Sequence, residues 1–162
     1  MGLNVAIVGA TGAVGIEFLK VMEKRKFPLT SLHLFATKRS AGRKLRYDGQ
    51  LVEVRETTLD SFKGMDIVFV SASSEAYKRY CPVVAQAGGV AIDDSSAFRL
   101  NPDVPLVVPE VNAEDLKYHK GIVSTPNCTT VPLVVALCPL HKANPIKRVV
   151  ISTYQSVSGA GG

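Results

Sequence analysis

The sequence predicts an α/β protein with a Rossmann-like, doubly wound and mostly parallel sheet. Short apolar runs typical of buried strands alternate with stretches of helical periodicity, which favours a parallel sheet covered on both faces. A glycine-rich turn directly follows the first apolar run, as in dinucleotide-binding folds. With 162 residues and 46% hydrophobic content, the chain can bury the core of a full domain.

The first half of the chain predicts two buried strands separated by a helix, followed by a hairpin. Val14, Phe18 and Met22 recur near helical spacing after the glycine-rich turn. Asp48 and Gly49 predict the tight turn of the hairpin. The expected elements are a strand at 3–9, a helix at 12–26, a strand at 32–36 and hairpin strands at 43–48 and 51–57.

The second half predicts three further strands. Ser73 or Ser74 is expected to cap a helix, and the Gly88-Gly89 pair to end it. Three prolines, at positions 102, 105 and 109, indicate a loop-rich stretch. The expected elements are a strand at 67–71, a helix at 74–88, a strand at 90–93, a short helix at 113–118 and a strand at 122–124.

The last part of the chain has the pattern of a long strand at 147–157, with no later strand to pair with it. An unpaired apolar strand is prone to aggregate, so we expect an N-terminal part of a longer protein. The alternatives are pairing with the edge of the first sheet or within a dimer. We therefore divide the chain into a cofactor-binding domain at 1–127 and the incomplete beginning of an α+β catalytic and dimerisation domain at 128–162.

Composition narrows the class of protein. The net charge of +5 comes from scattered Lys and Arg, which argues against a nucleic-acid surface and fits either small anionic ligands or simple solubility. Three cysteines without an apolar leader, and no apolar stretch long enough to span a membrane, predict a cytoplasmic protein without membrane contact. No histidine has a partner at metal-ligand spacing, so we expect no metal site.

The glycine motif indicates a nucleotide site. Gly9 permits a tight turn, Gly12 lets a pyrophosphate approach the backbone at the helix start, and Gly15 allows close helix packing. The spacing is GxxGxxG, a variant of the usual GxGxxG. A purely structural glycine turn is the alternative.

The end of the second predicted strand indicates which dinucleotide would bind. An Asp or Glu that reads the ribose of NAD is expected there, but Lys38, Arg39 and Ser40 stand in its place. Cationic and hydroxyl groups fit a 2′-phosphate, so NADP is preferred over NAD. The alternative is a solvated basic loop.

A polar loop follows the fourth strand of the parallel series, at the sheet edge where ligands bind. Arg99 can hold a phosphate or carboxylate with two parallel hydrogen bonds. We expect Asp93 and Asp94 to order this loop rather than to bind a metal.

Cys128 has the surroundings of a nucleophile. It lies between an extended segment, favoured by Pro126, and a helix whose first amides Thr129 and Thr130 can satisfy. The helix dipole and free amides favour thiolate over thiol. The alternative is a buried structural cysteine, as we expect for Cys81 and Cys138. None of the three histidines (His33, His119 and His141) is a convincing base.

Taken together, these motifs resemble the bacterial type of aspartate-semialdehyde dehydrogenase over the whole chain. Glyceraldehyde-3-phosphate dehydrogenase shares only the Cys-Thr-Thr element, and N-acetylglutamyl-phosphate reductase usually has an aromatic residue where this chain has Thr129. The motifs are GATGAVG at 9–15, KRSAG at 38–42, DDSSAFR at 93–99, PEVN at 109–112, PNCTT at 126–130 and QSVSG at 155–159.

The resemblance implies the reduction of L-aspartyl 4-phosphate by NADPH through a thioester on Cys128, in lysine, methionine and threonine biosynthesis. It implies that Arg99, Asn127 and Gln155 bind the substrate or its phosphate. It further implies a set of cofactor-binding residues: Gly9, Thr11, Gly12, Ala13, Val14, Arg39, Ser40, Ser71, Ala72, Ser158 and Gly159.

The resemblance also implies what this chain lacks. The general acid/base histidine, an arginine for the substrate carboxylate, a phosphate-binding lysine, most of the dimer-forming sheet and a closing helix are expected beyond Gly162. A full-length homodimer or dimer of dimers follows from it. The competing interpretations are a non-catalytic NADP-binding module and a related acyl-phosphate reductase such as N-acetylglutamyl-phosphate reductase.

Overall fold

The computed structural model describes residues 2–154, which contain one seven-stranded sheet and four α-helices. The strands are β1 (Leu3–Val8), β2 (Leu29–Ala36), β3 (Lys44–Tyr47), β4 (Gln50–Glu56), β5 (Ile67–Val70), β6 (Val90–Asp93) and β7 (Ile122–Ser124). The helices are α1 (Ala13–Lys24), α2 (Ser74–Gln86), α3 (Pro109–Asn112) and α4 (Thr130–Ala143). Short 3-10 helices lie at Lys38–Ser40, Leu59–Phe62 and Ala113–Tyr118.

The strand order across the sheet is β3-β4-β2-β1-β5-β6-β7, and only the β3–β4 pair is antiparallel. The chain moves from β1 to one side through β2 and later to the other side through β5 and β6. This reversal makes β1 and β5 the switch point, where open α/β sheets bind ligands beyond the carboxyl ends of their strands. The predicted Rossmann-like, mostly parallel fold is confirmed.

Each face of the sheet has its own hydrophobic core, because side chains alternate between faces along a strand. Val5, Ile7 and Leu34 pack with Leu19 and Met22 of α1 on one face. On the other face, α2 covers the sheet. That second core contains Ala6, Val8, Phe35, Phe62, Val68, Val70, Tyr77, Cys81, Val84 and Ala91.

The predicted hairpin and the end of α2 are confirmed. Asp48 and Gly49 have φ angles of 47° and 76°, the left-handed pair that a type I′ turn needs. Helix α2 ends at Gln86 with Ala87 as its C-cap residue, and Gly88 follows in the left-handed region.

Three local predictions are confirmed only in part. Ser73 is the N-cap residue of α2, but its side chain makes no capping hydrogen bond. The prolines of the loop-rich stretch do not exclude helix, because Pro109 begins α3 at a position that needs no amide hydrogen. The short helix expected at 113–118 is present with those bounds, and it is a 3-10 helix rather than an α-helix.

The strand predicted at 147–157 is wrong for residues 147–154, which have no regular secondary structure. Val150 is 79% exposed and Tyr154 is 96% exposed. A strand requires hydrogen bonds to a neighbour, and within residues 2–154 this segment adds to neither edge of the sheet. Residues 155–157 lie outside the described residues.

Candidate functional site

The glycine turn after β1 packs against the neighbouring strand so closely that a side chain cannot fit. Gly9 has φ +81°, and a Cβ atom there would lie 1.7 Å from the carbonyl oxygen of Ser71. At Gly15 a Cβ would lie 2.5 Å from the carbonyl oxygen of Gly9. The roles expected for these two glycines, a tight turn and close helix packing, are confirmed.

The start of α1 faces the carboxyl edge of the sheet with free backbone amides. Gly12 is the N-cap residue, and no side chain caps the helix. Ala13 and Val14 are exposed, and a Cβ at Gly12 would lie 3.3 Å from the Gly9 carbonyl oxygen, closer than an ordinary contact. Free amides and a helix dipole are the features that bind phosphate groups at helix starts, so this turn is a candidate phosphate cradle.

The basic segment after β2 lies beside the glycine turn. The amides of Gly9 and Ala10 both donate to the carbonyl of Phe35, at 2.9 and 3.1 Å, which ties the turn to the end of β2. Lys38 and Arg39 are exposed in the following 3-10 helix. In the described part of the chain, the ion pairs are Lys20–Glu17, Lys63–Asp60 and Lys120–Asp103. Neither Lys38 nor Arg39 takes part in them, so both side chains are available to an anion.

Arg99 is held in place by backbone carbonyls. Its Nε donates to the Thr125 carbonyl at 2.9 Å, and its Nη2 donates to the Asp94 carbonyl, also at 2.9 Å. These bonds fix the guanidinium plane between the loop after β6 and the segment after β7. The N–H groups of Nη1 make no hydrogen bond within residues 2–154, which leaves them for an anionic ligand.

Asp93 organises the polar loop, as expected. Its carboxylate is fully buried and accepts hydrogen bonds from the Ser95 amide (2.8 Å), the Ser95 hydroxyl (2.6 Å) and the Ser124 hydroxyl (3.0 Å). Within residues 2–154 no group of three or more His, Cys, Asp or Glu side chains is arranged to hold a metal ion.

Tyr77 and Asp94 form a contact that the sequence did not reveal. The Tyr77 hydroxyl donates to the Asp94 carboxylate and accepts the Ala72 amide at 3.3 Å. Burial and this hydrogen bond raise the pKa of Tyr77 well above its usual range, so the phenol stays protonated as the donor. In the sequence, the position of Tyr77 on α2 is typical of a core residue. Its hydroxyl reaches the sheet edge only because α2 packs on the sheet.

The corner that carries Cys128 is built by Asn127. The Asn127 Oδ1 accepts the Thr129 amide (2.9 Å) and the Thr129 hydroxyl (2.7 Å), and its backbone carbonyl accepts the amides of Thr130 and Val131. The expected capping by Thr129 and Thr130 is therefore wrong, because neither side chain caps α4. Cys128 is exposed, with its Sγ 3.8 Å from the same Asn127 oxygen.

The three cysteines are all free, and they differ in exposure. Cys81 is fully buried, and burial raises the pKa of its thiol to about 12. Cys138 is half-buried in α4, so its predicted place in the core is only partly confirmed. Exposure thus separates Cys128 from the two thiols expected to be structural.

Thiol labelling near neutral pH should follow this order. We expect Cys128 to react about tenfold or more faster than Cys138, and Cys81 to remain unlabelled in the folded protein. A stopped-flow reaction with an aromatic disulfide measures the rates, and Cys128→Ser should remove the fast phase. A single slow rate for all three thiols would favour the non-catalytic binding module.

The histidines serve local structure. The Nδ1 atoms of His119 and His141 accept the amides of Gly121 and Ile146, both at 3.1 Å. His33 lies 3.0 Å from the Ser31 hydroxyl. Burial lowers the pKa of His33, as does the charge of Arg55, so it is neutral at neutral pH. In the described part of the chain, none of the three histidines forms a hydrogen bond with Cys128.

A cavity of about 210 Å³ opens at the switch point. Its walls are largely apolar, and its polar end is formed by Ser71, Asp94 and Thr125. A larger concavity of about 520 Å³ lies between surface loops around Pro102 and Tyr118, away from the glycine turn. We take the smaller cavity as part of the site, because it adjoins the phosphate cradle and the loop of Arg99.

The structure thus brings most of the predicted site residues to one edge of the sheet. Three predicted residues lie outside the described residues: Gln155, Ser158 and Gly159. The residues at the edge are Gly9, Thr11, Gly12, Ala13, Val14, Arg39, Ser40, Ser71, Ala72, Arg99, Asn127 and Cys128.

Comparison with known proteins agrees with this arrangement. The family model described as "Semialdehyde dehydrogenase, NAD binding domain" matches residues 4–119, which include the glycine turn, the basic segment and Arg99. The chain belongs to the semialdehyde dehydrogenase family. Its matched part is the domain that binds the nicotinamide cofactor in that family.

Individual relatives of this family member carry a more specific name. The chain is 54% identical over 164 residues to the aspartate-semialdehyde dehydrogenase of Aquifex aeolicus, which covers 99% of the chain and 48% of that relative. The crystal structure of aspartate semialdehyde dehydrogenase II from Vibrio cholerae aligns with TM-score 0.92 and 43% identity, over 99% of this chain and 48% of that one. The enzyme from Candida albicans with NADP aligns with TM-score 0.71 and 27% identity, over 90% and 48%.

These matches confirm the resemblance inferred from the motifs. The chain spans about half the length of the curated relatives it matches. Within residues 2–154, no helix is both long enough and apolar enough to cross a lipid bilayer.

Proposed function

We propose that this chain belongs to an aspartate-semialdehyde dehydrogenase that reduces L-aspartyl 4-phosphate with NADPH to L-aspartate 4-semialdehyde and phosphate. The observation that carries the proposal is the exposed Cys128 at a helix start, next to the segment that braces Arg99 and beside the cofactor edge. The names of the relatives support the substrate.

The proposed reaction begins at the thiol. Thiolate Sγ of Cys128 attacks the acyl carbon of the substrate, the bond to the phosphate oxygen breaks, and phosphate leaves as a thioester forms. When bound, the reduced nicotinamide supplies the hydride that turns this thioester into the aldehyde, with the thiolate as leaving group. The general acid/base is expected in the part of the family's sequence that this chain does not match.

Arg99 and Asn127 are proposed to bind the phosphate. The two carbonyl contacts of Arg99 hold its guanidinium rigid, and a preorganised donor loses little entropy when it binds an anion. Because the Asn127 Oδ1 is occupied by Thr129, its amide nitrogen is the atom left to donate to substrate. Gln155 is proposed to orient the substrate, and Ser158 and Gly159 to contact the cofactor.

The cofactor is proposed to be NADP, with its pyrophosphate on the cradle at Thr11–Val14 and its 2′-phosphate on Arg39 and Ser40. The residues present fit this group: the cradle has free amides, no acidic residue follows β2 to repel a phosphate, and two cations stand there. The Candida albicans relative solved with NADP supports the preference.

Arg39→Ala should weaken NADPH binding by about tenfold to a hundredfold and NADH binding by less than threefold, because only NADPH carries the 2′-phosphate. Isothermal titration calorimetry with both cofactors measures the two ratios. Arg25→Ala is the matched control, since Arg25 is exposed just after the far end of α1. Equal losses for the two cofactors would contradict the 2′-phosphate role.

The proposed function is tested by the consumption of NADPH with aspartyl phosphate in protein of full family length that includes this chain. We expect turnover with aspartyl phosphate and none with N-acetylglutamyl phosphate. The reverse preference would replace the proposal with the related reductase. Binding of NADPH without turnover of either substrate would favour the non-catalytic module.

Further parts of the proposal concern the whole protein. These are a boundary at residue 127 between the cofactor domain and the beginning of a catalytic and dimerisation domain, a homodimer or dimer of dimers, a cytoplasmic location, and a place in lysine, methionine and threonine biosynthesis.

A further inference from the structure

Asp94 lies where the nicotinamide end of a bound dinucleotide is expected. The basic segment follows β2, the glycine turn follows β1, and Ser71 and Asp94 follow β5 and β6 on the other side of the turn. A dinucleotide with its pyrophosphate on the turn and its 2′-phosphate at Arg39 must extend its nicotinamide end toward β5 and β6. The polar end of the 210 Å³ cavity, formed by Ser71, Asp94 and Thr125, lies on that side.

The carboxylate of Asp94 is held in a fixed orientation there. The Tyr77 hydroxyl donates to its Oδ1, and Tyr77 is itself 4% exposed and packed in the core of α2. The register pairs Val70 with Asp93, so Ser71 and Asp94 are neighbours just past the strand ends. Asp94 remains exposed at the cavity and can meet a ligand.

Neighbouring charges do not neutralise this carboxylate. Arg99 donates to the backbone carbonyl of Asp94 and to Thr125, not to the carboxylate. Asp93 is buried and engaged with Ser95 and Ser124. Burial raises the pKa of Asp94 above its ordinary value, and the charge of Asp93 adds to this rise, while the hydrogen bond from Tyr77 offsets it only in part. At about pH 8, above the ordinary range for carboxyl groups, the group is expected to be charged.

We infer that Asp94 is a specificity-determining residue that faces the nicotinamide ring and favours the cationic, oxidised cofactor over the neutral, reduced one. The inference rests on the proposed cofactor site. The oxidised ring carries one positive charge that the reduced ring lacks, so a nearby carboxylate stabilises the two forms unequally. In the proposed direction of reaction, this contact would slow release of the oxidised cofactor.

The test is the ratio of the dissociation constants for NADP+ and NADPH, measured by calorimetry at about pH 8. Asp94→Asn should weaken NADP+ on the order of tenfold and NADPH by less than threefold, because it removes the charge but keeps an oxygen to accept the Tyr77 hydroxyl. Glu23→Gln removes one negative charge at the opposite end of α1, where Glu23 is exposed, and should leave the ratio unchanged.

Tyr77→Phe provides a second variant that retains the Asp94 charge, and it should keep the preference for NADP+ within about threefold of the unmodified protein. Equal changes for both cofactors in Asp94→Asn, or an unchanged ratio, would overturn the role of Asp94 while leaving the cofactor site intact. If the unmodified protein binds neither form, the proposed cofactor site fails and the role of Asp94 fails with it. If Asp94→Asn does not fold, Asp94→Ser gives the same comparison.

Discussion

Cys128→Ala is expected to lower kcat by on the order of 10⁴-fold or more, because the thioester has no other sulfur to form on. The rate of NADPH consumption with aspartyl phosphate measures this loss. Binding of NADPH should change by less than threefold, since the variant removes only the nucleophile.

Cys138→Ala is the matched control for that variant. Cys138 is also a free thiol, but it lies half-buried within α4, past its first turn. We expect activity within about threefold of the unmodified protein, with a modest loss of stability from the smaller side chain. Equal loss of activity in both variants would show that the effect comes from destabilisation of α4 rather than from a missing nucleophile.

Gly9→Ala is expected to lower the free energy of unfolding by about 3–5 kcal/mol, the largest stability effect that we predict. Two costs add. The backbone at Gly9 has φ +81°, which strains any L-residue with a side chain, and the new Cβ would lie 1.7 Å from the Ser71 carbonyl oxygen. The chain must therefore separate β1 from β5 locally, and the phosphate cradle moves with it. Urea unfolding measures the change in the free energy of unfolding. NADPH binding, measured without urea, shows whether the cradle has moved.

Gly64→Ala separates the two costs. Gly64 also has a left-handed φ of +74°, but nothing lies within 4 Å of its Cβ position. We expect it to lose only about 1 kcal/mol, the strain alone. If Gly9→Ala costs no more than Gly64→Ala, the close approach between the glycine turn and β5 is not a constraint on the site.

The parts of this fold that sequence could predict are those decided by local pattern. Apolar runs located β1, β5, β6, β7 and the second half of β2, since burial on both faces leaves a continuous apolar signal. The mostly exposed β4 was located instead by its alternating pattern after a hairpin turn. Asp48 and Gly49 specified their turn through backbone conformation alone. The glycine turn was also recognisable, because its role depends on the absence of side chains at Gly9 and Gly15.

The remaining features depend on contacts between distant segments. The start of α4 is an exception, because its contacts are local: the Asn127 Oδ1 accepts the amide and the hydroxyl of Thr129, and no side chain caps the helix. The hydroxyl of Tyr77 meets Asp94 only when α2 packs on the sheet. The strand pattern at 147–154 has no such tertiary partner in the described residues, so local propensity alone did not produce a strand.

The most direct test of the proposed chemistry is the mass of the protein after mixing with aspartyl phosphate in the absence of cofactor. We expect an increase by one aspartyl acyl group, located on the peptide that contains Cys128, with release of one equivalent of phosphate. Addition of NADPH should remove the adduct and yield the semialdehyde, and Cys128→Ala should form none. An adduct on another residue, or turnover without any dependence on Cys128, would contradict the account.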